Sequence, residues 1–315
     1  MNPWRWLVRV LRATCARLEG RESGSALGSM RILVGLALTL EVGRYCFTAA
    51  GQDVFSLMFA DIAHGGYRPV RPTLLLALLG GARPAALFFL AGCNFVCGVC
   101  LCVGLFGRLP ALLAWLICTS ILGQGSPLAA GSDLLFSTSL LTLGLSDCTR
   151  TWSLDCRIRT GAWSSDELVP AWPRLLALLQ LAVMYGATGL QKLVSTTWWP
   201  ADGYSALYQI LQSPHWAKYP RLIEQTDGAL VWPLAIATAL TVPFELTFPA
   251  VLFFRRLRPA YAVFGVMLHL GIGLSMGVGP FGLLALASYP TLFPRWRGPE
   301  SLRSPSARSS PSPSG

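Results

Sequence analysis

Long apolar runs, separated by short polar segments rich in arginine, constrain the fold of this chain more than any other feature. The runs 84–106, 173–194 and 229–253 reach the roughly 20 residues that a helix needs to cross a bilayer. Only 13% of the residues are charged, which is about half the share found in soluble domains. No segment of mixed pattern is long enough for a separate soluble domain. The pattern therefore predicts an all-α polytopic membrane protein.

The lengths of the apolar runs place about eight membrane-spanning helices along the chain. They are predicted at 26–48, 84–106, 109–125, 131–147, 173–194, 229–253, 259–276 and 279–294. A further apolar stretch at 72–81 is too short to span and is predicted to be a re-entrant or surface helix. Loops 49–83 and 195–228 are the two longest between the spans, so an external site would be built there.

The distribution of arginine between the loops predicts the orientation of the chain. Arginines are concentrated in the N-terminal segment 1–23, in the loops at 150–159 and 255–258, and in the tail. Because such residues stay on the cytoplasmic side, both termini are predicted to be cytoplasmic, with the protein integral to the cell (inner) membrane. Residues 1–23 are predicted to form an amphipathic surface helix, with a signal peptide as the alternative. The Ser/Pro/Arg-rich tail 298–315 is predicted to be disordered.

The net charge of +10 could indicate nucleic-acid binding, but the placement of the arginines argues against it. They form short clusters between apolar runs, as in membrane proteins, and no nucleic-acid-binding motif is visible. The C-x-x-C pair of Cys97 and Cys100 lies in an apolar setting without His or acidic neighbours. Small buried residues in a helix are favoured there over a zinc site. No metal site is predicted, and no hydrolase, ATPase or dinucleotide motif is found.

Several ionisable side chains lie in or at the edges of the predicted spans, where Arg, Lys or Asp costs about 2.5–3.5 kcal/mol at mid-span. They are Arg31, Glu41, Arg44, Asp133, Lys192, Glu245 and His269. Their charges roughly balance, so we expect them to face one another or a wet cavity. A packing role is favoured for Arg31. For Glu245, hydrogen bonding or an arginine partner weighs equally with lining a pocket. For His269, a hydrogen-bonded interior histidine is somewhat favoured over a proton-handling group.

Lys192 is one of only two lysines and stands near the end of the fifth predicted span. Position alone favours an amine that extends to the membrane interface, with Trp198 and Trp199 in an aromatic belt. The functional alternative is a partly desolvated amine, because desolvation favours the neutral form that can take up a proton. Tyr185, Gly189 and Lys192 are spaced to share one helix face, and Gly189 would let a helix or a flat ligand approach it.

The order of several segments resembles the HTTM domain, which is the membrane part of vitamin K-dependent gamma-carboxylase and of many shorter bacterial proteins. The segments are "SALGSMRILVGLALTLEV", "YGATGLQKLVSTTWWPADGYSALYQIL", "FELTFPAVLFF" and "HLGIGLSMGVGPFGLLALASYPTLFP". The G-L-Q-K-L…W…G-Y segment is the most specific of them. The resemblance implies one transmembrane domain over residues 24–297.

The resemblance also implies a function. In the carboxylase, a lysine in this segment is the base that deprotonates vitamin K hydroquinone, and Lys192 falls on that lysine. His269 and Arg31 match a histidine in a later span and an arginine in the first span. The resemblance thus implies Lys192 and His269 as catalytic residues acting on a quinol-like or other lipid-phase substrate. Candidate substrate contacts are Tyr185, Asp133, Trp198, Trp199, Glu245 and Arg31.

The chain also departs from the carboxylase. An Asn-His pair before the fourth span of the carboxylase is replaced by Ser132 and Asp133 in "AAGSDLLF". The large lumenal portion that grips the propeptide is missing from this sequence, so we do not expect full peptide carboxylation. Short relatives include the maturation factor of the sporulation-delaying toxin type, which helps process a secreted peptide. The alternative is therefore a non-enzymatic maturation or export factor, and the lack of paired half-repeats disfavours a third option, a transporter-like pore.

Overall fold

A computed structural model describes residues 16, 18–48, 73–81, 83–122, 131–199, 203–214 and 216–293. These residues are mostly helical, as the apolar runs predicted. Most of the predicted surface helix and the whole of the predicted disordered tail lie outside the described residues.

Helices follow one another along the chain, with two short strands at the boundaries of the first and fifth predicted spans. The first half contains β1 (Arg21–Ser23), α1 (Ser25–Phe47), α2 (Leu74–Leu78), α3 (Pro84–Val103), α4 (Leu109–Leu122), α5 (Gly131–Gly144) and α6 (Leu154–Thr160). The second half contains β2 (Leu168–Pro170), α7 (Trp172–Leu193), a 3-10 helix (Thr196–Trp198), α8 (Ala206–Gln212), α9 (Pro220–Gln225), α10 (Val231–Val251), α11 (Arg258–Ser275), α12 (Phe281–Ala287) and a second 3-10 helix (Tyr289–Leu292). Residues 21–23, which were assigned to the surface helix, form β1 instead.

Four of the described helices are long and apolar enough to cross a membrane, namely α1, α3, α7 and α10. The other four predicted spans hold α4, α5, α11 and the α12 region, which do not meet both conditions. α4 and α5 have 14 residues each, which gives about 21 Å of helix against a hydrocarbon core of about 30 Å. The structure therefore supports a polytopic membrane protein, and eight complete spans stay a prediction.

We call the packed helices together the helical layer. The strands β1 and β2 lie at one end of this layer, and we call that end the ribbon end. They pair antiparallel, with Glu22 opposite Val169, and lead directly into α1 and α7. The buried Arg174 donates from Nε to both carboxylate oxygens of Glu22, at 2.7 and 2.8 Å. It also donates to the carbonyl of Thr291 at 3.1 Å. One guanidinium thus joins the beginnings of α1 and α7 to the second 3-10 helix near the end of the described chain. The first and last described elements therefore both lie at the ribbon end.

Glycines bring α1 and α3 close together. A Cβ atom at Gly35 would lie 2.7 Å from the backbone nitrogen of Cys102 and 2.9 Å from the carbonyl oxygen of Gly98. A Cβ atom at Gly98 would lie 2.6 Å from Oγ1 of Thr39. Small residues allow this approach, and the packing gained replaces the hydrophobic effect that is missing between helices in lipid.

Arg31 links α1 to the end of α3 by hydrogen bonds near the ribbon end. Its side chain is fully buried, and it donates to the carbonyls of Leu101, Cys102, Cys148 and Trp152. The first two of these belong to the last turn of α3, where carbonyls have no donor within the helix. These contacts occupy the guanidinium with backbone carbonyls, and a packing role for Arg31 stays a prediction.

A second group of helices contains α7, α10, α11 and the residues around α12. α10 runs antiparallel to α7, since the Tyr185 ring contacts Phe248 while Gly189 lies against Glu245. Aromatic rings fill the space between these helices. Pro243 and Pro249 lie inside α10, which nevertheless continues through both. This second group carries the candidate site.

Candidate functional site

Lys192 and Glu245 form an ion pair between α7 and α10. Nζ of Lys192 lies 2.5 Å from Oε1 of Glu245. The Lys192 side chain is 20% exposed and that of Glu245 only 7%, so the pair is largely shielded. The partner of Glu245 is therefore a lysine and not the arginine considered from the sequence.

The close contact of α7 with α10 depends on Gly189. A Cβ atom at this position would lie 2.8 Å from the backbone nitrogen of Leu246 and 3.1 Å from the carbonyl carbon of Glu245. Tyr185, Gly189 and Lys192 share one face of α7, as their spacing predicted, and this face packs against α10. A helix, and not a flat ligand, occupies the face at Gly189.

The Lys192 ammonium points into the helical layer. Glu245 lies level with Gly189, one turn before Lys192 on α7, and helical side chains lean towards the N-terminus. Lys192 is only about 4.5 Å beyond Gly189, and α7 ends one residue later. From the level of Glu245, α10 extends about 21 Å in the same direction to Val231, and so reaches well past the end of α7. The amine therefore reaches away from the nearer end of α7, opposite to the direction expected of a lysine that extends to the interface.

Trp198 covers the ammonium from the side of the following 3-10 helix. Nζ of Lys192 lies 4.6 Å from the centre of its ring, a distance at which a cation is attracted to the ring face. Trp199 is 48% exposed. Of the two tryptophans predicted for the site, only Trp198 contacts the lysine by this interaction.

A buried hydrogen-bonded cluster lies beside the ion pair. The hydroxyl oxygen of Tyr185 is 2.6 Å from Nε2 of His269 and 2.6 Å from the hydroxyl oxygen of Tyr289. The Lys192 charge is close enough to act on the His269 ring, and the Glu245 charge acts on both tyrosines. The ion pair and the cluster thus form one electrostatic unit, drawn from α7, α10, α11 and the second 3-10 helix.

Two polar atoms of this unit are left without partners. Within the described part of the chain, Oε2 of Glu245 and Nδ1 of His269 are buried and have no hydrogen-bond partner. A buried polar atom without a partner costs about 1–3 kcal/mol. Such atoms are found where a ligand or water completes the site, so this unit is the best candidate for a binding or catalytic site.

Comparison with known proteins agrees with the membrane character of the chain. The sequence model of the HTTM domain matches residues 21–296. The chain belongs to the HTTM domain family. Comparison with curated proteins and with solved structures gives no match. The HTTM domain thus covers every described element from β1 to the second 3-10 helix.

The remaining predicted site residues of this HTTM domain lie apart from the ion pair. Arg31 is near the ribbon end, where its guanidinium is occupied by backbone carbonyls. Asp133 is in the first turn of α5 and interacts electrostatically with Tyr45 and Cys118. The structure therefore brings together Lys192 and Glu245 with their aromatic neighbours, and a substrate contact at Arg31 or Asp133 stays a prediction.

Sequence reasoning missed Tyr289 as a member of the site. It lies in the apolar stretch "LALASYPTLF", 104 positions from Tyr185, to which it is hydrogen-bonded. A hydroxyl-bearing residue in an otherwise apolar stretch is the signal that could have drawn attention to it, because a buried hydroxyl needs a partner.

Proposed function

We propose that this HTTM-domain protein is a membrane enzyme in which Lys192 acts as a general base on a lipid-phase substrate. The group that it deprotonates is a weakly acidic hydroxyl, as in a quinol. The observation that carries the proposal is the shielded Lys192–Glu245 pair with a free carboxylate oxygen inside the helical layer.

Proton transfer balances within the pair. If the proton between Lys192 and Glu245, which are hydrogen-bonded, is transferred to Glu245, Nζ of Lys192 becomes a neutral amine with a lone pair. The substrate O–H bond then breaks, a new N–H bond forms at Nζ, and the electron pair stays on the substrate oxygen. The ammonium that results stabilises this oxyanion, and the partial shielding of the pair from solvent strengthens the effect.

The outward side of α7 near Lys192 is apolar. Leu190 and Leu193 on α7, and Val194 directly after it, are between 47% and 82% exposed. Leu190 and Val194 lie two positions from Lys192 and so point to the other side of the helix. This apolar side suits a position in the membrane, where a lipid-phase substrate would be dissolved.

The proposal is tested by replacing the two lysines separately. The purified protein is placed in lipid nanodiscs with a short-chain menaquinol, and oxygen consumption is measured, because a quinol anion reacts with oxygen faster than the neutral quinol. Lys192→Arg should lower the protein-dependent rate by about 100-fold or more, since an arginine cannot act as a neutral base. Lys218→Arg is the matched control, because Lys218 is exposed and donates to the Gly273 carbonyl.

A Lys192→Arg protein that inserts normally and keeps the full rate would eliminate Lys192 as the base. Glu245→Gln is a second test of the same site in the same assay. It keeps the shape of the side chain but cannot take up a proton from Lys192, so it should also slow the reaction. An unchanged rate in both variants would contradict the proposal as a whole.

The alternative is a non-enzymatic maturation or export factor for a secreted peptide. The observation that favours it is a set of exposed aromatic side chains between α7 and the start of α10, namely Trp199, Tyr204, Trp216, Tyr219 and Trp232. Crosslinking groups placed in the segment 203–230 should then capture a specific small peptide. Capture that persists in Lys192→Arg would support this alternative over the enzymatic proposal.

A further inference from the structure

The turn between α10 and α11 combines exposed aromatic side chains with arginines. Its sequence is "LFFRRLR", residues 252–258. Its backbone is held by hydrogen bonds, since the amides of Phe253 and Leu257 donate to the carbonyls of Ala250 and Phe254, each at 3.0 Å. The side chains of Phe253 and Phe254 are 81% and 58% exposed. The turn thus presents two aromatic rings outward, directly beside two arginines.

The length of α10 places this turn at the level of the lipid head groups. α10 has 21 residues, which gives about 31 Å of helix against a hydrocarbon core of about 30 Å. When α10 crosses the membrane, the residues that directly follow it therefore lie among the head groups. Phenylalanine side chains at this level insert into the boundary between head groups and acyl chains, as they do on surface helices.

Arg258 attaches the turn to the ribbon end. Its guanidinium donates to the carbonyl of Leu252 and, at 3.0 Å, to that of Leu292. The neighbouring carbonyl of Thr291 accepts from Arg174 at 3.1 Å. Two guanidiniums thus hold consecutive carbonyls and lie close together. Because a carbonyl carries no net charge, these contacts leave the positive charge of Arg258 without a counter-charge.

Negative charge is scarce around this turn. Both carboxylate oxygens of Glu22 are occupied by Arg174. No ion pair among the described residues includes Arg255, Arg256 or Arg258, and the first two are exposed. Burial lowers the pKa of Arg258, and the positive charges of Arg255 and Arg174 lower it further. Cations are therefore crowded here, and an anion would stabilise them.

The two ends of the sequence add to this positive charge. Residues 294–315, which follow the last described residue, contain four arginines and one glutamate, a net charge of 4 − 1 = +3. Residues 1–15 contain three arginines and no acidic residue. Neither segment has the composition of a counter-charge for the turn, so the anion is expected to come from another molecule.

We infer that the α10–α11 turn binds an anionic phospholipid, with Arg255 and Arg256 at its phosphate and Phe253 and Phe254 against its acyl chains. The planar fork of a guanidinium matches the geometry of a phosphate. Basic side chains at a membrane surface attract anionic lipids, whereas a zwitterionic lipid carries its own cation. This binding site is independent of any role of Lys192.

Lipid binding is measured on the purified full-length protein in a neutral detergent. Native mass spectrometry gives the affinity for phosphatidylglycerol, and phosphatidylcholine with the same acyl chains is the comparison lipid. Wild type should bind phosphatidylglycerol more tightly by about 10-fold or more. Arg255→Gln combined with Arg256→Gln should weaken phosphatidylglycerol binding by about 10- to 30-fold and leave phosphatidylcholine binding unchanged.

A matched control removes two arginines away from the ribbon end. Arg83 and Arg221 are exposed, so Arg83→Gln combined with Arg221→Gln removes the same charge. Its affinity for phosphatidylglycerol should stay within about twofold of wild type, because charges beyond the Debye length are screened. An equal loss in both double variants would show that only the total charge matters. That result, or wild-type affinity in the Arg255/Arg256 variant, would overturn the site.

Competition distinguishes a lipid from other anions. Inorganic phosphate, or glycerophosphoglycerol as a head group without chains, should not displace phosphatidylglycerol when added at the same concentration as the lipid. Displacement by inorganic phosphate would indicate a site for the free anion. Displacement by a polyglutamate peptide would indicate an acidic protein partner. Either result would contradict a lipid site.

Phe253→Ser combined with Phe254→Ser tests the contact with the acyl chains. Both side chains are exposed, so the melting temperature should change little, whereas phosphatidylglycerol binding should weaken by about 10-fold because apolar contact is lost. Phe47→Ser combined with Phe89→Ser is the control, since both of these side chains are also exposed, and it should bind as wild type does. Equal binding by the two double variants would show that the turn does not hold the acyl chains.

Discussion

Each residue with a buried charge in this protein has its own way of being stabilised inside an apolar helical layer. Arg31 donates to four carbonyls, and Arg174 is neutralised by both oxygens of Glu22. Lys192 has one carboxylate oxygen and one aromatic ring. Among the described residues, the surroundings of Lys192 include the unpaired Oε2 of Glu245 and Nδ1 of His269, whereas the Arg31 guanidinium is occupied by carbonyls.

Arg31→Lys tests the structural role at this scale. A lysine ammonium cannot reach the last turn of α3 and the carbonyls of Cys148 and Trp152 together, since it lacks the planar fork of a guanidinium. We expect the variant to lose about 1–3 kcal/mol of stability, measured as a lower melting temperature in detergent. Arg221→Lys, at an exposed position, should stay within about 0.5 kcal/mol of wild type. Equal melting temperatures for both variants would contradict the role given to Arg31.

At the scale of elements, the site depends on how closely two antiparallel helices approach. Gly189 sets the separation of α7 and α10, while Pro249 removes the helical donor to the Glu245 carbonyl. Neither residue carries a reactive group. The close approach at Gly189 brings Glu245 within hydrogen-bonding distance of Lys192.

Gly189→Ala should separate the two helices and weaken the Lys192–Glu245 pair. The added methyl group would meet backbone atoms of α10, which cannot rotate away, so a loss of about 1–3 kcal/mol is expected. Oxygen consumption should fall together with the melting temperature. Gly92→Ala on α3 is the control, because open space surrounds that position. A Gly189→Ala protein with wild-type stability and rate would mean that the close approach is unimportant.

At the scale of the whole molecule, the ribbon end and the Lys192 site lie at different depths of the same layer. The loop between α6 and β2 belongs to the ribbon end, and the segment around α8 and α9 returns along α10 at the other side. The bridge between Ala217 and Met276 fixes this segment to the end of α11. The segment around α8 and α9 is therefore held by a helix that carries the site.

Cysteine labelling tests the predicted orientation. Ser164 and Tyr219 are exposed, and we expect them on opposite faces of the membrane. In right-side-out vesicles an impermeant maleimide should label Tyr219→Cys directly and Ser164→Cys only after permeabilisation, above the background of the native cysteines. The opposite pattern would reverse the predicted cytoplasmic location of both termini, and labelling of both without permeabilisation would contradict their separation.

The sequence predicted part of the site because helical spacing is local information. Tyr185, Gly189 and Lys192 share a face for the same reason that any residues at such intervals do. Glu245 and His269 were recognised as costly groups in apolar runs. Which of them would meet could not be predicted, because the partners are 53 and 84 positions apart and several pairings of opposite charge were equally compatible with the sequence.

By itself, the sequence determined the helical membrane class, the approximate positions of the apolar helices and the short list of ionisable residues within them. Hydrophobic length and charge are properties of contiguous segments, so they can be read without a fold. Only the tertiary structure decided that Lys192 turns inward to Glu245 and that Tyr289 joins Tyr185 and His269. These outcomes depend on helix separation and depth, which glycines and aromatic packing between distant segments control.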